Sequence, residues 1–329
     1  MPEHIRALFF IASLAFGGWL IASRVWGRAI EGGWLRYVRN MWYVVTVAAF
    51  LSFNFWLYAV VATFWVWFKR PPVNAAVALY LVLLCAVPPA SVSVPGFGLV
   101  NYLFALNQPR LLALILLLPA FIYLIASKSA VPIGKMAGDK WLIAYILLIC
   151  ALPLRSLTIT DALRSAFYTF LGVFLPYYVA SRSLKNVGDL RKVLVSVVAV
   201  GVVIGVLAVF ETLRSWNLYK ALVTSMGLSW GYNGYLARDG FQRASGSTGQ
   251  AIALGYFMAL ACGAYMMVAQ FVPTGYGRKV VVCILVGGLL ATLSRGPWLG
   301  ALCMGAVFVL SGRNGIRRLV IFAVMAVLL

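Results

Sequence analysis

Acidic residues are scarce in this chain: seven Asp and Glu stand against 27 Lys and Arg, and the formal charge is +20. Histidine is scarcer still, with His4 alone near the N-terminus. These shortages exclude a His-based metal cluster and leave no Ser-His-Asp, Cys-His or paired-carboxylate arrangement in the polar segments. The five cysteines, Cys85, Cys150, Cys262, Cys283 and Cys303, all lie inside apolar runs and none forms a close pair. They read as small hydrophobes, neither a disulfide frame nor a metal site, so no metal and no cofactor is expected.

What the chain has is apolar residue: 64% of it, with a mean hydropathy of +0.97. An ordinary soluble domain is about half apolar. A bilayer core of roughly 30 Å takes about 20 apolar residues per helical crossing, and many such runs are present. A β-barrel would show alternating segments instead. The expectation is an all-α, polytopic transmembrane helical bundle forming a single domain over 1–329. The basic excess then fits loops that meet anionic headgroups, with the lipid bilayer as a partner and no nucleic acid.

In chain order, the first apolar run is 7–23, a retained span or a signal peptide ending near Ala22-Ser23; the spans that follow favour retention. Trp26, Ile30, Trp34 and Tyr37 recur at helical spacing between four arginines, which predicts an interfacial helix over 24–40, weakened by Gly27, Gly32 and Gly33. Further runs are 41–67, 73–88, 110–126, 141–154, 163–181, 193–213, 251–272, 280–293 and 297–311, with a last one beginning near 319. Residues 89–109 read as a loop, and Pro176 as a kink. The pair Gly201 and Gly205 gives a small-xxx-small step for close helix approach in lipid. The count is about ten complete spans and a partial eleventh, and the sequence stops inside an apolar run, as if C-terminally truncated.

Alternating the connections between two faces puts 15 Lys and Arg in the N-terminus, 69–73, 127–140, 181–192, 278–279 and 312–318. It puts 12 in 24–40, 89–110, 155–164, 214–250 and 295. The richer set is assigned to the cytoplasm. Arg243 and Arg295 then share the outer face, the periplasm of a Gram-negative cell.

The most polar stretch, 238–250, carries Arg238, Asp239, Arg243, Gly246, Gly249 and Gln250 and leads into the run at Ala251. A second arginine turn, Ser294-Arg295-Gly296-Pro297, opens the run at 297. Guanidinium is a planar fork of donors suited to phosphate oxygens. Gly246 and Gly249 let backbone N–H groups approach a ligand, and the following helix aims its N-terminus at the same place. The bland alternative is two arginines snorkelling to headgroups. Tyr232 and Tyr235, near Trp230 and Asn233, suit a sugar face or an interfacial aromatic belt. Arg155, Asp161 and Arg164 lie on the same side, joining the site or capping a span. Asp239 is a possible general base, or simply a partner of Arg238 or Arg243.

Two motifs, Arg243-Ala-Ser-Gly246 leading into a span and Ser294-Arg295-Gly296 opening a later one, resemble those of the O-antigen ligase and Wzy-type polymerase family. Their order and their separation by one helical hairpin match as well. Ala251-Ile252 stand where the family often has Pro-Asn. The resemblance covers about 240 to 311 and implies a bacterial inner-membrane glycosyltransferase with a periplasmic active face. Such a protein moves an undecaprenyl-diphosphate-linked oligo- or polysaccharide to an acceptor, either lipid A-core or another carrier-linked chain, without metal. Arg243 and Arg295 would hold the diphosphate and stabilise it as leaving group. Gly246, Gln250, Ser294, Tyr232, Tyr235 and Arg155 would line the substrate. The family's loop histidine is absent here, which leaves the base beyond residue 329. Competing readings are a transporter or flippase for an anionic lipid or solute, which should show repeats and broken helices, and a non-catalytic assembly partner.

Overall fold

The computed structural model describes residues 1–27, 29–30, 33–98, 101–127, 130–155, 158–228, 237–238, 240–272 and 275–311. It is mostly helical. In chain order come α1 (Glu3–Trp26), α2 (Trp34–Leu51), α3 (Phe55–Phe68), α4 (Val73–Leu84), an antiparallel hairpin of β1 (Val92–Pro95) and β2 (Tyr102–Leu106), α5 (Gln108–Leu112) and α6 (Leu118–Ala126). Then follow α7 (Asp139–Ala151), α8 (Ile159–Thr169), α9 (Leu175–Ser183), α10 (Val187–Arg214) and α11 (Lys220–Ser225). A two-residue pair, β3 (Ala237–Arg238) with β4 (Phe241–Gln242), precedes α12 (Ala251–Val268), α13 (Tyr276–Ala291) and α14 (Arg295–Leu310). Four helical stretches are long and apolar enough to cross a membrane: Glu3–Trp26, Gln108–Ala126, Val187–Arg214 and Ala251–Phe271. Three more, Phe55–Phe68, Val73–Leu84 and Arg295–Leu310, are apolar but shorter.

Several expectations are corrected. The segment 24–40 is not one helix: α1 runs to Trp26 and α2 starts at Trp34, with the glycine-rich stretch between them. The run 41–67 is two helices, because Asn54 breaks it and caps α3 by accepting from the Trp56 N–H at 2.8 Å. Leu51, Phe53 and Phe55 keep the hydropathy continuous across that break, so composition hides it. The 89–109 loop contains the β1–β2 hairpin, whose side chains alternate between half-buried and exposed over Val92–Pro95. The last run, from 319, lies outside the described residues.

The chain packs as two compact units. One comprises 1–39, 194–221 and 231–329; the other comprises 40–193 and 222–230. Divisions fall inside α2, α10 and α11.

In the first unit α10 is the centre. A Cβ on Gly201 would lie 2.7 Å from the Ala261 Cβ of α12, and one on Gly288 of α13 would lie 2.7 Å from the Gly205 Cα. The predicted small-xxx-small step is thus the face on which α10 meets two helices. Helix α1 runs antiparallel to α10, with Phe10 stacked on Phe210 at 5.4 Å and Gly18 against Val203. This places Arg6 over the Trp216 ring, 4.8 Å from its centroid. At the other end Trp26 meets Tyr265 at 6.2 Å, and the Trp34 indole donates to Ser196 Oγ at 2.8 Å. The N-terminal end of α1 therefore lies at the C-terminal end of α10, not at the opposite end as the alternation of connections expects.

In the second unit, Pro119 and Pro176 each sit in the first turn of a helix that follows a π-turn, at Ala113–Leu117 and Phe170–Phe174. The widened turn accommodates the missing N–H of each proline. Phe121 of α6 packs on Phe174 and Tyr178 of α9 at 5.9 and 4.8 Å. Below them Arg182 Nη2 meets Asp139 Oδ2 at 2.7 Å, and both side chains are almost fully buried. Asp139 also accepts from the Gly134 and Met136 N–H groups and from the Tyr177 hydroxyl. The Arg182 guanidinium, with these donors, holds the Asp139 carboxyl well below the usual carboxylate range. Asp161 pairs with Arg164, and Thr158 caps α8. Arg164 also donates to the Tyr102 and Leu103 carbonyls.

Candidate functional site

The site lies in the first unit, where the β3–β4 pair meets the turn between α13 and α14. Ala237 pairs with Gln242 and Arg238 with Phe241, with Gly240 at φ +81 in the turn. The chain then runs straight to Arg243 and is fastened at Ala244, whose N–H donates to the Ala291 carbonyl at 3.0 Å. Thr212 Oγ1 of α10 donates to the same carbonyl at 3.0 Å.

Arg243 forks across to the α13–α14 turn. Its Nε donates to the Thr292 carbonyl at 3.1 Å and its Nη2 to Ser294 Oγ at 2.7 Å. Arg238 Nη1 donates to the Leu293 carbonyl, between those two partners, at 2.9 Å. Leu293 has φ +47, an uncommon conformation for a branched side chain, and it folds the turn back so that its carbonyl groups face the arginines. Ser294 precedes α14 but does not cap it. Its hydroxyl accepts from Arg243 and donates to the Thr292 carbonyl at 3.0 Å. Arg295 follows at once as the exposed first residue of α14, with no hydrogen bond or ion pair to a described residue. Arg243 is thus brought to the turn from which Arg295 begins α14.

Both ion pairs among the described residues, Arg164–Asp161 and Arg182–Asp139, lie in the other unit. No described acid pairs with Arg238, Arg243 or Arg295. Burial first, and then the like charge of Arg238, push the Arg243 guanidinium below its ordinary value. A guanidinium has five N–H donors, and the two bonds of Arg243 leave its Nη1 unbonded among the described residues. Two cations held on one turn, without a counter-ion among the described residues, attract an anion with at least two oxygens.

Glu211, in the last turn of α10, is a fully buried acid. Its Oε2 accepts from the Ser245 and Gly246 N–H groups at 3.1 and 2.8 Å, and its Oε1 from the Leu218 N–H at 3.1 Å. Gly246 takes φ +52 here, which a residue with a Cβ rarely adopts. Its N–H group, expected to face a ligand, is committed to Glu211. Gln250 is exposed at the start of α12 and makes no side-chain cap. Arg155 ends a short helical turn in the other unit, so the site is described without it. Tyr232, Tyr235 and Asp239 lie outside the described residues.

Glu211, Thr212 and Asn217 were not singled out by motif. Asn217 accepts from the Gln242 side-chain amide. One signal was present: an acid in the last turn of an otherwise apolar helix must find donors when buried. A comparison with protein-family models, curated proteins and solved structures finds no match for this chain.

Proposed function

We propose that this chain is a membrane glycan transferase of the O-antigen ligase and Wzy-type polymerase kind. It moves an undecaprenyl-diphosphate-linked oligo- or polysaccharide to an acceptor, lipid A-core or a growing chain, at the periplasmic face of a bacterial inner membrane. Arg243 and Arg295 hold the diphosphate. The observation that carries this reading is the bond from Arg243 to Ser294, the residue before Arg295, at an end where no described acid neutralises either cation.

In the proposed step the acceptor hydroxyl attacks the anomeric carbon, the bond from that carbon to the phosphate oxygen breaks, and the carrier diphosphate leaves while the hydroxyl proton passes to water or to the departing diphosphate. Negative charge grows on that oxygen, and preorganised guanidinium groups stabilise it more than the ground state. Arg243 is preorganised by Thr292 and Ser294. Arg295 stands at the N-terminus of α14, whose dipole has the same sign of effect.

The break at Asn54 also supports the orientation. Counting α2 and α3 separately gives eleven crossings through α14 and a further run beyond 319, a bundle of about a dozen. It moves the four arginines of 24–40 to the basic face and Arg6 away from it. The division of Lys and Arg changes from 15 against 12 to 18 against 9. This larger bias supports the reading in which the 214–250 and Arg295 side faces outward.

The test is transfer from an undecaprenyl diphosphate-linked glycan in membranes, with Arg243→Ala and Arg295→Ala matched for expression. Loss of transfer in both is expected; wild-type rates in both discard the proposal.

A further inference from the structure

The end of α10 carries a feature that a diphosphate clamp does not by itself require. Glu211 is a carboxylate with no surface exposure, and it is surrounded by three converging backbone N–H groups, those of Leu218, Ser245 and Gly246. Such a concavity of N–H groups is the usual cradle for a phosphate. Here the protein fills it with its own carboxyl oxygens, so an incoming phosphate finds the guanidinium groups and not the loop backbone.

We propose that Glu211, seconded by Thr212, is the positioning residue that sets Arg243 for an anionic, diphosphate-bearing ligand; this rests on the arginine-clamp reading above. The geometry runs in three short links. Glu211 fixes the backbone at Ser245 and Gly246, two and three residues after Arg243. The next residue of the same helix, Thr212, fixes the Ala291 carbonyl, which also receives the Ala244 N–H. Arg243 then spans from the strand so fixed to Thr292 and Ser294, the residues after Ala291. One helix end therefore holds both the root of the arginine and the turn it grips. The Ser245 backbone, at φ −119 and ψ −22, points two successive N–H groups at one oxygen. A glutamine at 211 keeps the size but turns an N–H donor toward the Leu218 N–H, so one of the three bonds becomes a donor–donor contact.

The test is a double-mutant cycle on the full chain in lipid nanodiscs, with binding of undecaprenyl diphosphate as the readout. Arg243→Ala is expected to weaken binding by about tenfold to a hundredfold, the range for hydrogen bonds to charged groups. Glu211→Gln is expected to weaken it by about tenfold. The double variant is expected to bind no worse than Arg243→Ala alone, because a positioning residue acts only through the group it positions. Wild-type binding by Glu211→Gln, or losses that multiply in the double variant, overturns the positioning role while the clamp stands. Wild-type binding by Arg243→Ala overturns the clamp, and the positioning role with it. Where Glu211→Gln does not accumulate in the membrane, Thr212→Val takes its place in the cycle. The same non-additivity then supports the proposal, and multiplied losses overturn it.

Discussion

The bond from Arg243 Nη2 to Ser294 Oγ, 2.7 Å long, joins positions 51 residues apart and brings two arginine motifs to one turn. It also explains why lysine is a poor substitute. A lysine ammonium is a point charge on a flexible stem, whereas Arg243 holds Thr292 and Ser294 with one edge and keeps Nη1 for a ligand. Arg243→Lys is therefore expected to lose most of the transfer rate that Arg243→Ala loses, by about 1.5–3 kcal/mol in apparent barrier. Ser294→Ala should cost less, about 1 kcal/mol, because the Thr292 carbonyl still holds Nε. Initial rates in membranes at matched expression check both, and a fully active Arg243→Lys contradicts the bidentate account.

The close approach of α10 and α13 gives a stability prediction. A methyl group on Gly288 would come within 2.7 Å of the Gly205 Cα, a backbone atom that cannot rotate away. Gly288→Ala should lower stability by about 1–3 kcal/mol through overpacking. Gly300→Ala on α14 meets nothing within 4 Å and should be neutral or slightly stabilising, since alanine favours helix by about 0.5–1 kcal/mol. Thermal unfolding of the purified protein in detergent distinguishes the two; equal Tm values for both variants would falsify the packing argument.

These contrasts show what the sequence makes legible. The Gly201 and Gly205 step is a local pattern, and its use follows from the need of apolar helices to approach without side chains between them. The arginine motifs are also local, and their meeting follows from hairpin spacing. The break at Asn54 is illegible because Leu51, Phe53 and Phe55 are as apolar as the helices beside them; the capping bond of Asn54 is what marks the start of α3. Glu211 is illegible for a different reason. Its partners Ser245 and Gly246 lie 34 and 35 residues away and use backbone N–H groups, which leave no residue-type signature.

The end-to-end arrangement of α1 on α10 makes a topological prediction. Arg6 lies over Trp216 at the Arg243 end, while Trp26 and Trp34 lie at the other. A protease-sensitive tag before residue 1 and one inserted at residue 240 should be cut from the same side of sealed vesicles. A tag inserted at residue 33 should be protected under those conditions. Opposite accessibility of the first two tags contradicts the added crossing at Asn54.

The last prediction concerns acid. Asp139 is ionised and buried against Arg182, and its pKa in the folded protein lies below the usual value of about 3.9 for an unfolded aspartate. For a group with a depressed folded pKa, the unfolded state binds the proton first as pH falls. Its stabilising contribution is therefore fully present above pH 4 and declines below it, toward the folded pKa. The wild-type Tm should fall between pH 6 and pH 3 by more than the Tm of Asp139→Asn, which has no proton to gain at this position. Arg182→Ala should be worse than either at neutral pH, by about 3–5 kcal/mol, because it strands a buried carboxylate whose remaining donors are two backbone N–H groups and the Tyr177 hydroxyl. The double variant Asp139→Asn with Arg182→Ala removes the stranded charge and should recover part of that loss. Additive losses in that double variant would show that the two side chains act separately and not as a pair.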